Sequence, residues 1–323
     1  MRSSQKWLIT GGAGYIGSHI ADEFLSDGKE VVIYDSLYRG LESRIEYLRL
    51  KHNKDIPLIV ADIRDADAFF KVLLEFKPQG IIHAAALKSV AESMEKPNDY
   101  MDVNFLATTQ ILKIVAELSI CNFIFSSTAA VYGSPINSKP VTENAVLNPI
   151  SPYGTSKLAA EKEVARFLET EGNRGASLRF FNVVGTSAKE LSDTSTENLI
   201  PIVINKLKAG LSPTIYGIDF PTPDGTCIRD FVDVRDVSRA HLLVANHEGK
   251  LPLAMNVGTG IGGSVREVID MISKFLGLEK VMAIDGQRRT GDPALLSADV
   301  TAIHNAIGFR SKYSLEASIK SLN

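Results

Sequence analysis

Short apolar runs alternate with helix-like patterns through the first half of the chain. Six runs rich in β-branched and aromatic side chains predict strands. They cover residues 7–10, 30–35, 57–61, 80–84, 122–126 and 176–180. Residues 15–27 carry Ile16, Ile20 and Phe24 near helical spacing, and enough chain separates the later runs for crossover helices. The alternation predicts an α/β fold with a doubly wound, Rossmann-type parallel sheet covered on both faces.

The pattern changes in the second half of the chain. Residues 185–198 are polar and rich in Ser and Thr, and Gly and Pro recur further on, which predicts loops and short elements. We therefore expect the sheet domain over residues 1–181 and a smaller α+β domain over residues 182–323. Part of residues 231–260 could also return to the first domain.

The composition is that of an ordinary globular protein. The 323 residues are 45% apolar and 23% charged with a net charge of −3, which disfavours a general binder of nucleic acid or membrane surfaces. No apolar run reaches the ~18 residues of a membrane span, and the first residues predict no signal peptide. Cys121 and Cys227 are far apart, so neither a disulfide framework nor a zinc site is indicated. We expect a reduced, cytoplasmic, soluble protein, which leaves an enzyme, a carrier and a scaffold open.

Three glycines join the first predicted strand to the first predicted helix. Gly11, Gly14 and Gly17 form a G-x-x-G-x-x-G turn. Glycine permits a tight turn and a close approach of backbone to a pyrophosphate, and the helix N-terminus adds free N–H groups and the positive end of its dipole. A loop can use glycine for its geometry alone, but a turn that follows a strand and opens a helix favours dinucleotide binding.

Acidic residues close the second and third predicted strands. Asp35 lies 18 residues after Gly17, where a carboxylate can accept hydrogen bonds from both ribose hydroxyls of an adenosine. Because this carboxylate would repel a 2′-phosphate, it favours NAD over NADP. Asp62 is placed to touch the adenine. The alternative for both residues is a cap or turn role, which fits Asp62 nearly as well.

Tyr153 and Lys157 are candidates for acid–base chemistry. They are four residues apart after Ser151, a plausible N-cap, and Pro152, which suits the first helical position. A nearby ammonium and a nicotinamide charge would both lower the pKa of a tyrosine, making it a general base near neutral pH. This spacing alone usually marks a solvated helix face, but the dinucleotide turn favours the catalytic interpretation. Thr128 closes the fifth strand and either binds the reacting hydroxyl or caps the strand end.

Together these residues resemble the extended short-chain dehydrogenase/reductase superfamily and, within it, the nucleotide-sugar epimerases. The likeness runs over nearly the whole chain. The sequence TGGAGYIGSH at residues 10–19 and the YxxxK pair are shared widely in the superfamily. PTPDGTCIRD at residues 221–230 and RRTGD at residues 288–292 are more typical of the epimerases.

The resemblance implies a set of residues for each of two ligands. The residues implied to bind NAD are Gly11, Gly14, Tyr15, Ile16, Gly17, Asp35, Ser36, Leu37, Arg39, Gly40, Asp62, Ile63, Ala84, Ala85, Ala86, Lys88, Asn104, Ser126, Thr128, Tyr153, Lys157 and Phe181. The residues implied to bind a UDP-sugar are Lys88, Thr128, Tyr153, Asn182, Asn198, Leu199, Thr214, Ile215, Tyr216, Arg229, Arg289, Asp292 and Leu296, with Thr290 and Gly291 inside the same motif. Guanidinium groups suit a diphosphate because they donate two parallel hydrogen bonds.

The resemblance also implies a reaction, the reversible NAD-dependent inversion of C4 in a UDP-hexose through a transient 4-keto sugar. Tyr153 takes the proton of the 4-OH, directly or through Thr128, while Lys157 holds the nicotinamide ribose and keeps the tyrosine's pKa low. The expected substrates are UDP-glucose and UDP-galactose, with no metal and no nucleic-acid or membrane partner. Members commonly form homodimers through two long helices, expected here over residues 98–118 and 152–171.

Departures from related patterns narrow the expected substrate. Thr128 is followed by Ala129 and Ala130, without the carboxyl groups that serve dehydratases and decarboxylases. Asn182 is retained where uronate epimerases commonly differ, which favours a neutral hexose. Leu296 occupies a position where a large tyrosine excludes N-acetylated sugars in similar epimerases. Because leucine is smaller, the N-acetylhexosamine pair is an expected second substrate pair.

Two other kinds of function stay open. One is a UDP-uronate 4-epimerase or another nucleotide-sugar oxidoreductase that releases its product. The other is a non-catalytic dinucleotide sensor or scaffold, against which the intact set of Thr128, Tyr153 and Lys157 argues, since a sensor needs no general base.

Overall fold

A computed structural model describes residues 5–135, 139–279, 281–289 and 292–322. The strands are β1 (Lys6–Thr10), β2 (Glu30–Asp35), β3 (Leu58–Val60), β4 (Gly80–His83), β5 (Asn122–Thr128), β6 (Arg174–Phe180), β7 (Asn182–Val184), β8 (Thr214–Tyr216), β9 (Ile228–Asp233), β10 (Ala254–Val257), β11 (Gly262–Ser264), β12 (Ile284–Gly286) and β13 (Leu295–Leu296). All six strands predicted from the first half are therefore present, with ends that differ by a few residues.

Helices separate most of these strands. They are α1 (Tyr15–Ser26), α2 (Glu42–His52), α3 (Ala66–Phe76), α4 (Val90–Glu95), α5 (Pro97–Tyr100), α6 (Ala107–Glu117), α7 (Pro152–Glu169), α8 (Leu199–Lys208), α9 (Val234–Ala245), α10 (Val265–Phe275), α11 (Thr301–Ile307) and α12 (Leu315–Lys320). A π-helical stretch, Met101–Leu106, joins α5 to α6, and short 3₁₀ turns cover Ala129–Tyr132 and Lys189–Leu191. Within the described ranges, no helix is long and apolar enough to cross a membrane.

Seven parallel strands form the central sheet in the order β3-β2-β1-β4-β5-β6-β10. The predicted doubly wound α/β fold is confirmed. The order reverses between β1 and β4, and in open parallel sheets ligands bind outside the carboxyl ends of the strands at such a point. The fold thus places Thr10 and His83, the last residues of those two strands, at the edge where a ligand is expected.

Alternate side chains of each strand enter two separate cores. In β1, Trp7 and Ile9 pack with α1 and α9 on one face, whereas Leu8 packs with α3, α6 and α7 on the other. Successive side chains of a strand point to opposite faces, so a strand covered on both sides reads as an unbroken apolar run. This is why the first-half strands were visible in the sequence.

A strand from late in the chain completes the central sheet. β10 pairs with β6, with Ala254 opposite Ser177 and Val257 opposite Phe180. The preceding helix α9 packs against α1. The elements β7, α8, β8, β9, α10 and α12 contribute side chains to the core of a second unit, whereas α11 packs against β10 and the core of the central sheet.

The second unit is a small α+β assembly around β9. This strand pairs in parallel with β7 and β13 and antiparallel with β11, while β8 and β12 form a separate ribbon. Helices α8 and α10 cover these strands with an apolar cluster that includes Val203, Ile269 and Ile272.

Candidate active site

A cleft of about 1000 Å³ opens at the carboxyl ends of the central strands. Many residues expected to bind the cofactor line it, namely Gly11, Gly14, Tyr15, Ile16, Gly17, Asp35, Ser36, Arg39, Gly40, Asp62, Ile63, Ala84, Ala85, Ala86, Lys88, Ser126, Tyr153 and Lys157. Leu37, Asn104, Thr128 and Phe181 are not among its lining residues. Most of the residues predicted to bind the cofactor therefore lie in one cleft, and four of them do not line it.

The backbone of the glycine-rich turn at Gly11, Gly14 and Gly17, here called the cradle, leaves no room for side chains at Gly11 and Gly17. A Cβ on Gly11 would lie 2.6 Å from the backbone nitrogen of Ala85, and one on Gly17 would lie 2.1 Å from the oxygen of Gly11. Gly11 also has a φ of 68°, in the left-handed region that favours glycine. Gly14 caps α1 without a side chain, and the first N–H groups of a helix have no partner within it. These features fit the pyrophosphate of a dinucleotide.

Asp35 and Asp62 differ in their burial and in the groups that donate hydrogen bonds to them. Asp35 is buried and accepts hydrogen bonds from the backbone nitrogens of Ala13 at 3.0 Å and Leu37 at 2.8 Å. Burial raises the pKa of this carboxyl. Asp62 is more exposed and accepts from the Arg64 guanidinium at 2.7 Å, which holds the pKa of Asp62 below its usual range. Asp62 also accepts from the Arg64 backbone nitrogen at 2.9 Å, so the turn role left open for it is present.

Asn104 supports the cleft wall from behind. Its side chain accepts from the backbone nitrogen of Leu87 at 2.8 Å and donates to the Leu87 carbonyl at 2.9 Å and to the Ser156 hydroxyl at 3.0 Å. These bonds tie the π-helical stretch to the segment after β4 and to α7. In this structure Asn104 holds a cofactor-lining segment in place, whereas the resemblance implied direct contact with the cofactor.

His83 is a structural residue that the sequence analysis did not single out. Thr10 donates to its Nδ1 at 2.7 Å, and its Nε2 donates to Thr108 at 2.8 Å, because the Thr108 hydroxyl is itself donating to the Asn104 carbonyl. Burial lowers the pKa of His83 to about 3, with a further lowering from Lys157. A neutral imidazole therefore links the ends of β1 and β4. In the sequence, the feature that could have pointed to this role is a histidine at the end of an apolar predicted strand.

Tyr153 and Thr128 meet at the inner end of the cleft. Ser151 caps α7 by accepting from the Gly154 nitrogen at 3.1 Å, as predicted, and this places Tyr153 in the first turn. Tyr153 is hydrogen-bonded to the Thr128 side chain. Thr128 also accepts from the Ala130 nitrogen at 3.1 Å, so it is both a cap and a partner of the tyrosine.

The charges at this point differ from the expectation. Burial raises the pKa of Tyr153, and the hydrogen bond from Thr128 is what opposes the rise. Lys157 is buried, with its Nζ 4.0 Å from the centre of the Phe125 ring, and burial lowers its pKa to about 7 against the pull of Glu161. In the chain without cofactor, burial outweighs any lowering of the pKa of Tyr153 by its surroundings. The expected lowering by Lys157 together with a bound nicotinamide stays a prediction.

Glu161 and Arg179 form a buried pair behind this lysine. Arg179 Nε donates to Glu161 at 3.0 Å, and the Ser127 hydroxyl donates to the same carboxylate at 2.6 Å. The pair fastens β5, β6 and α7 together where Thr128 and Lys157 emerge. Glu161 was not predicted as a site residue, although its position four residues after Lys157 on a predicted helix places both side chains on one face.

The residues expected to bind the sugar nucleotide lie mostly on the second unit. Arg229 on β9 donates to the Pro293 carbonyl at 2.8 Å, its Nη2 is 3.5 Å from Asp292, and Leu296 pairs with it across the sheet. Arg289 lies 4.1 Å over the ring of Tyr216. The other members lie on nearby elements, namely Asn182 on β7, Asn198 and Leu199 at the start of α8, and Thr214 and Ile215 on β8. Thr290 and Gly291 lie outside the described residues.

Several cleft residues were not foreseen. Residues 193–197 of the polar stretch line the cleft, together with Arg44, Glu92, Lys96 and Tyr100. The sequence predicted a loop for the polar stretch but gave no sign of where the loop would lie. No group of three or more His, Cys, Asp or Glu side chains that could hold a metal occurs in the part of the chain that the structure describes.

A Rossmann-type sheet with a glycine cradle at its switch point and a Tyr–Lys pair beside it defines a dinucleotide-dependent enzyme of the α/β class. Residues 7–258 match the family described as the NAD dependent epimerase/dehydratase family. The chain belongs to this family, and the resemblance found in the sequence is confirmed.

Individual relatives are similar over nearly their whole length. A UDP-glucose 4-epimerase of Azospirillum brasilense is 37% identical over 317 residues, covering 96% of this chain and 88% of the relative. A crystal structure of UDP-glucose-4-epimerase from Stenotrophomonas maltophila, with bound NAD and formylated UDP-arabinopyranose, is 33% identical with a TM-score of 0.92, covering 98% of this chain and 96% of that one. The UDP-Glc/GlcNAc 4-epimerase of Campylobacter jejuni is 35% identical with a TM-score of 0.85, covering 99% and 98%.

Proposed function

We propose that the protein is an NAD-dependent 4-epimerase of UDP-hexoses that works through a transient 4-keto sugar. The observation that carries the proposal is that Tyr153 and Lys157 line the same cleft as the glycine-rich turn, while Thr128 is hydrogen-bonded to Tyr153. Ala129 and Ala130 follow Thr128, so the acids of dehydratases and decarboxylases are missing at this point of the sequence. The relatives that match over nearly the full chain carry the same activity in their names.

Each residue of this set has a distinct task. NAD, when bound, accepts the C4 hydride and returns it. Tyr153 Oη takes the proton of the 4-OH, and the Thr128 hydroxyl, which donates to it, stabilises the phenolate form. Lys157, whose pKa burial lowers to about 7, would hold the nicotinamide ribose when NAD is bound. Glu161 and Arg179 keep the helix and strand that present these groups in register.

The substrate side is built for a diphosphate and a sugar. Arg229 and Arg289 supply guanidinium groups on the second unit, and Asn198 is the residue before α8. We assign these residues to the UDP moiety because guanidinium groups bind phosphate oxygens in pairs. UDP-sugar binding by the Stenotrophomonas relative supports the assignment.

We propose that the sugar pocket also admits N-acetylhexosamines. Leu296 is partly buried and packs against a cluster that contains Tyr132, Val141 and Phe181. A leucine leaves more room at this position than a tyrosine and offers apolar contact to an acetamido methyl group. The Campylobacter relative, named for both glucose and N-acetylglucosamine substrates, supports this interpretation.

Three broader assignments accompany this function. We propose a homodimer through the helices of residues 97–117 and 152–169, where Leu106 is 53% exposed. Light scattering at micromolar concentration tests it, and a monomeric mass would refute it. We propose a cytoplasmic location, which the free thiols of Cys121 and Cys227 support. Finally, we assign residues 1–181 with β10 to cofactor binding and the remaining residues of 182–323 to the sugar nucleotide.

The decisive experiment is a coupled assay on a panel of UDP- and dTDP-sugars, preceded by an assay of nicotinamide in the supernatant of denatured protein. We expect stoichiometric NAD(H), and interconversion of UDP-glucose and UDP-galactose without added reductant. Turnover that consumes NAD(H) would indicate a nucleotide-sugar oxidoreductase instead. Turnover of uronates alone would correct the substrate. Bound cofactor without turnover of any sugar would indicate a sensor.

A further inference from the structure

One polar segment bridges the two walls of the cofactor cleft. Residues 185–198, here called the covering segment, run from the end of β7 to the start of α8. Near its beginning, Tyr15 on α1 donates to the Gly185 carbonyl at 2.6 Å, and the Ser187 nitrogen donates to His19 at 3.1 Å. Near its end, the Ser89 hydroxyl at the start of α4 donates to Glu197 at 2.7 Å. Because residues 193–197 line the cleft between these anchors, the segment lies over it.

Arg44 on α2 joins the covering segment to the glycine-rich turn. Its Nη1 donates to the Ala13 carbonyl at 3.1 Å, and its Nη2 donates to the Ser192 carbonyl at 2.8 Å. Ala13 belongs to the turn and Ser192 directly precedes the part of the segment that lines the cleft. The side chain is 1% exposed. A single buried guanidinium therefore fixes the distance between the cradle and its cover.

The charge of Arg44 is not matched by an ion pair. No carboxylate oxygen lies within 4.0 Å of its nitrogens among the residues that the structure describes, and its buried Nε has no hydrogen-bond partner there. Burial lowers the pKa of Arg44, and Asp193 and Asp35 oppose this from a distance. A buried cation without a counter-ion is costly, yet this one lines a cleft that suits an anionic ligand.

We propose that Arg44 is a positioning residue for cofactor retention: it fastens the covering segment against the glycine-rich turn and reserves its positive charge for the anionic dinucleotide. The proposal rests on the function proposed above. It extends to the substrate, because Asn198 is the last residue of the segment and donates to Asp193 at 2.5 Å. Loosening Ser192 would thus also move a residue assigned to the sugar nucleotide.

The chain offers a matched control on the same helix. Arg49, also on α2, donates through Nε at 3.0 Å and Nη2 at 2.7 Å to the Ile56 carbonyl, and it does not line the cleft. Arg44→Met removes both bonds and the charge, Arg44→Lys keeps the charge but not both bonds, and Arg49→Met tests the loss of a comparable arginine elsewhere. Thermal unfolding of each variant establishes that it is folded.

The first measurement is the half-time for loss of nicotinamide from purified holoenzyme during dialysis. We expect nicotinamide to be lost at least roughly tenfold faster from Arg44→Met than from the wild type, because this variant lacks two hydrogen bonds from a charged donor. The rate for Arg44→Lys should be intermediate. Arg49→Met should match the wild type. Equal half-times in Arg44→Met and the wild type, or equal acceleration in Arg49→Met, would overturn the proposal.

The second measurement does not depend on activity or on cofactor content. Hydrogen exchange in peptides that cover residues 185–198 should be faster in Arg44→Met than in Arg49→Met and the wild type. Unchanged exchange would overturn the fastening role. Wild-type protein that binds no nicotinamide would contradict the proposed function and the retention role, while hydrogen exchange would still decide whether Arg44 fastens the segment.

Discussion

The two ends of the candidate site are built from different parts of the polypeptide. At the cofactor end, the contact surface is backbone: Gly11 and Gly17 leave no space for a Cβ, and hydrogen bonds such as those of Asn104 hold the neighbouring segments. At the substrate end, long side chains dominate, and Arg229 and Arg289 are occupied with a carbonyl, a carboxylate and an aromatic ring of their own unit.

This difference matches what each end has to do in the proposed cycle. A dinucleotide that is regenerated in every turnover benefits from a surface that needs no reorganisation. A sugar nucleotide must enter, let its sugar turn and leave, so contacts through side chains that can exchange partners suit it better. Changes at the cofactor end should therefore abolish function, and changes at the substrate end should alter selectivity.

The largest effect is expected where the two ends meet. Tyr153→Phe keeps the ring but removes the hydroxyl bonded to Thr128, and we expect turnover to fall by roughly 10²–10⁴-fold, the usual contribution of a positioned acid–base group. Nicotinamide content and UDP affinity should be retained. Near-normal turnover in the epimerase assay would move the base to another residue.

The backbone cradle can be tested with one methyl group. Gly17→Ala places a Cβ against the Gly11 oxygen, and at ~1–3 kcal/mol for overpacking we expect cofactor affinity to fall by roughly 10–100-fold. Gly28→Ala is the control, since Gly28 has a φ of 84° and open space around it; it should lose about 1 kcal/mol of stability and keep its nicotinamide. Equal nicotinamide loss in both variants would argue against a specific cradle.

Burial of Lys157 predicts a particular dependence of stability on pH. The pKa of an unperturbed lysine is 10.5, whereas that of Lys157 in the folded chain is about 7, so between these values the unfolded state binds more protons than the native state. The free energy of unfolding should therefore rise with pH above 7, by up to about 1.4 kcal/mol per pH unit. Below pH 7 the lysine is charged in both states, so the destabilisation from burying its charge is fully present.

Urea unfolding of protein stripped of nicotinamide, at pH 7 to 9, measures this rise. Lys157→Met should remove it, while Lys162→Met, an exposed lysine on the same helix, should keep it. The same slope in all three proteins would mean that Lys157 remains fully charged in the fold.

The smallest effect is expected at Leu296, and it concerns selectivity. Leu296→Tyr should lower the ratio of kcat/KM for N-acetylhexosamines over hexoses about fivefold, which corresponds to ~1 kcal/mol of lost apolar contact. Leu296→Met, of similar volume, should leave the ratio nearly unchanged. Rejection of N-acetylated sugars by the wild type, or an unchanged ratio in the tyrosine variant, would contradict the proposal that the size of residue 296 selects between the two kinds of sugar.

Local signals in the sequence located the cradle and the strands, because each depends on neighbouring residues. The spacing of apolar residues, the glycines of the turn and the Ser151 cap are all properties of a few consecutive positions. The burial that raises the pKa of Tyr153 and lowers that of Lys157 was not predicted, because desolvation depends on what distant segments bury. The same holds for Arg44, whose two acceptors lie 31 and 148 residues away along the chain.

The placement of β10 has a consequence for how the chain is made. The edge of the central sheet beside β6 is covered by residues 254–257, which are synthesised after β7, α8, β8 and β9 of the second unit. An emerging chain that ends before this point exposes the backbone of β6 as an unpaired edge, the kind of surface that chaperones protect and aggregates recruit. The two units are therefore interleaved during biogenesis, and neither can be cut out at residue 181 and expressed as a self-contained module.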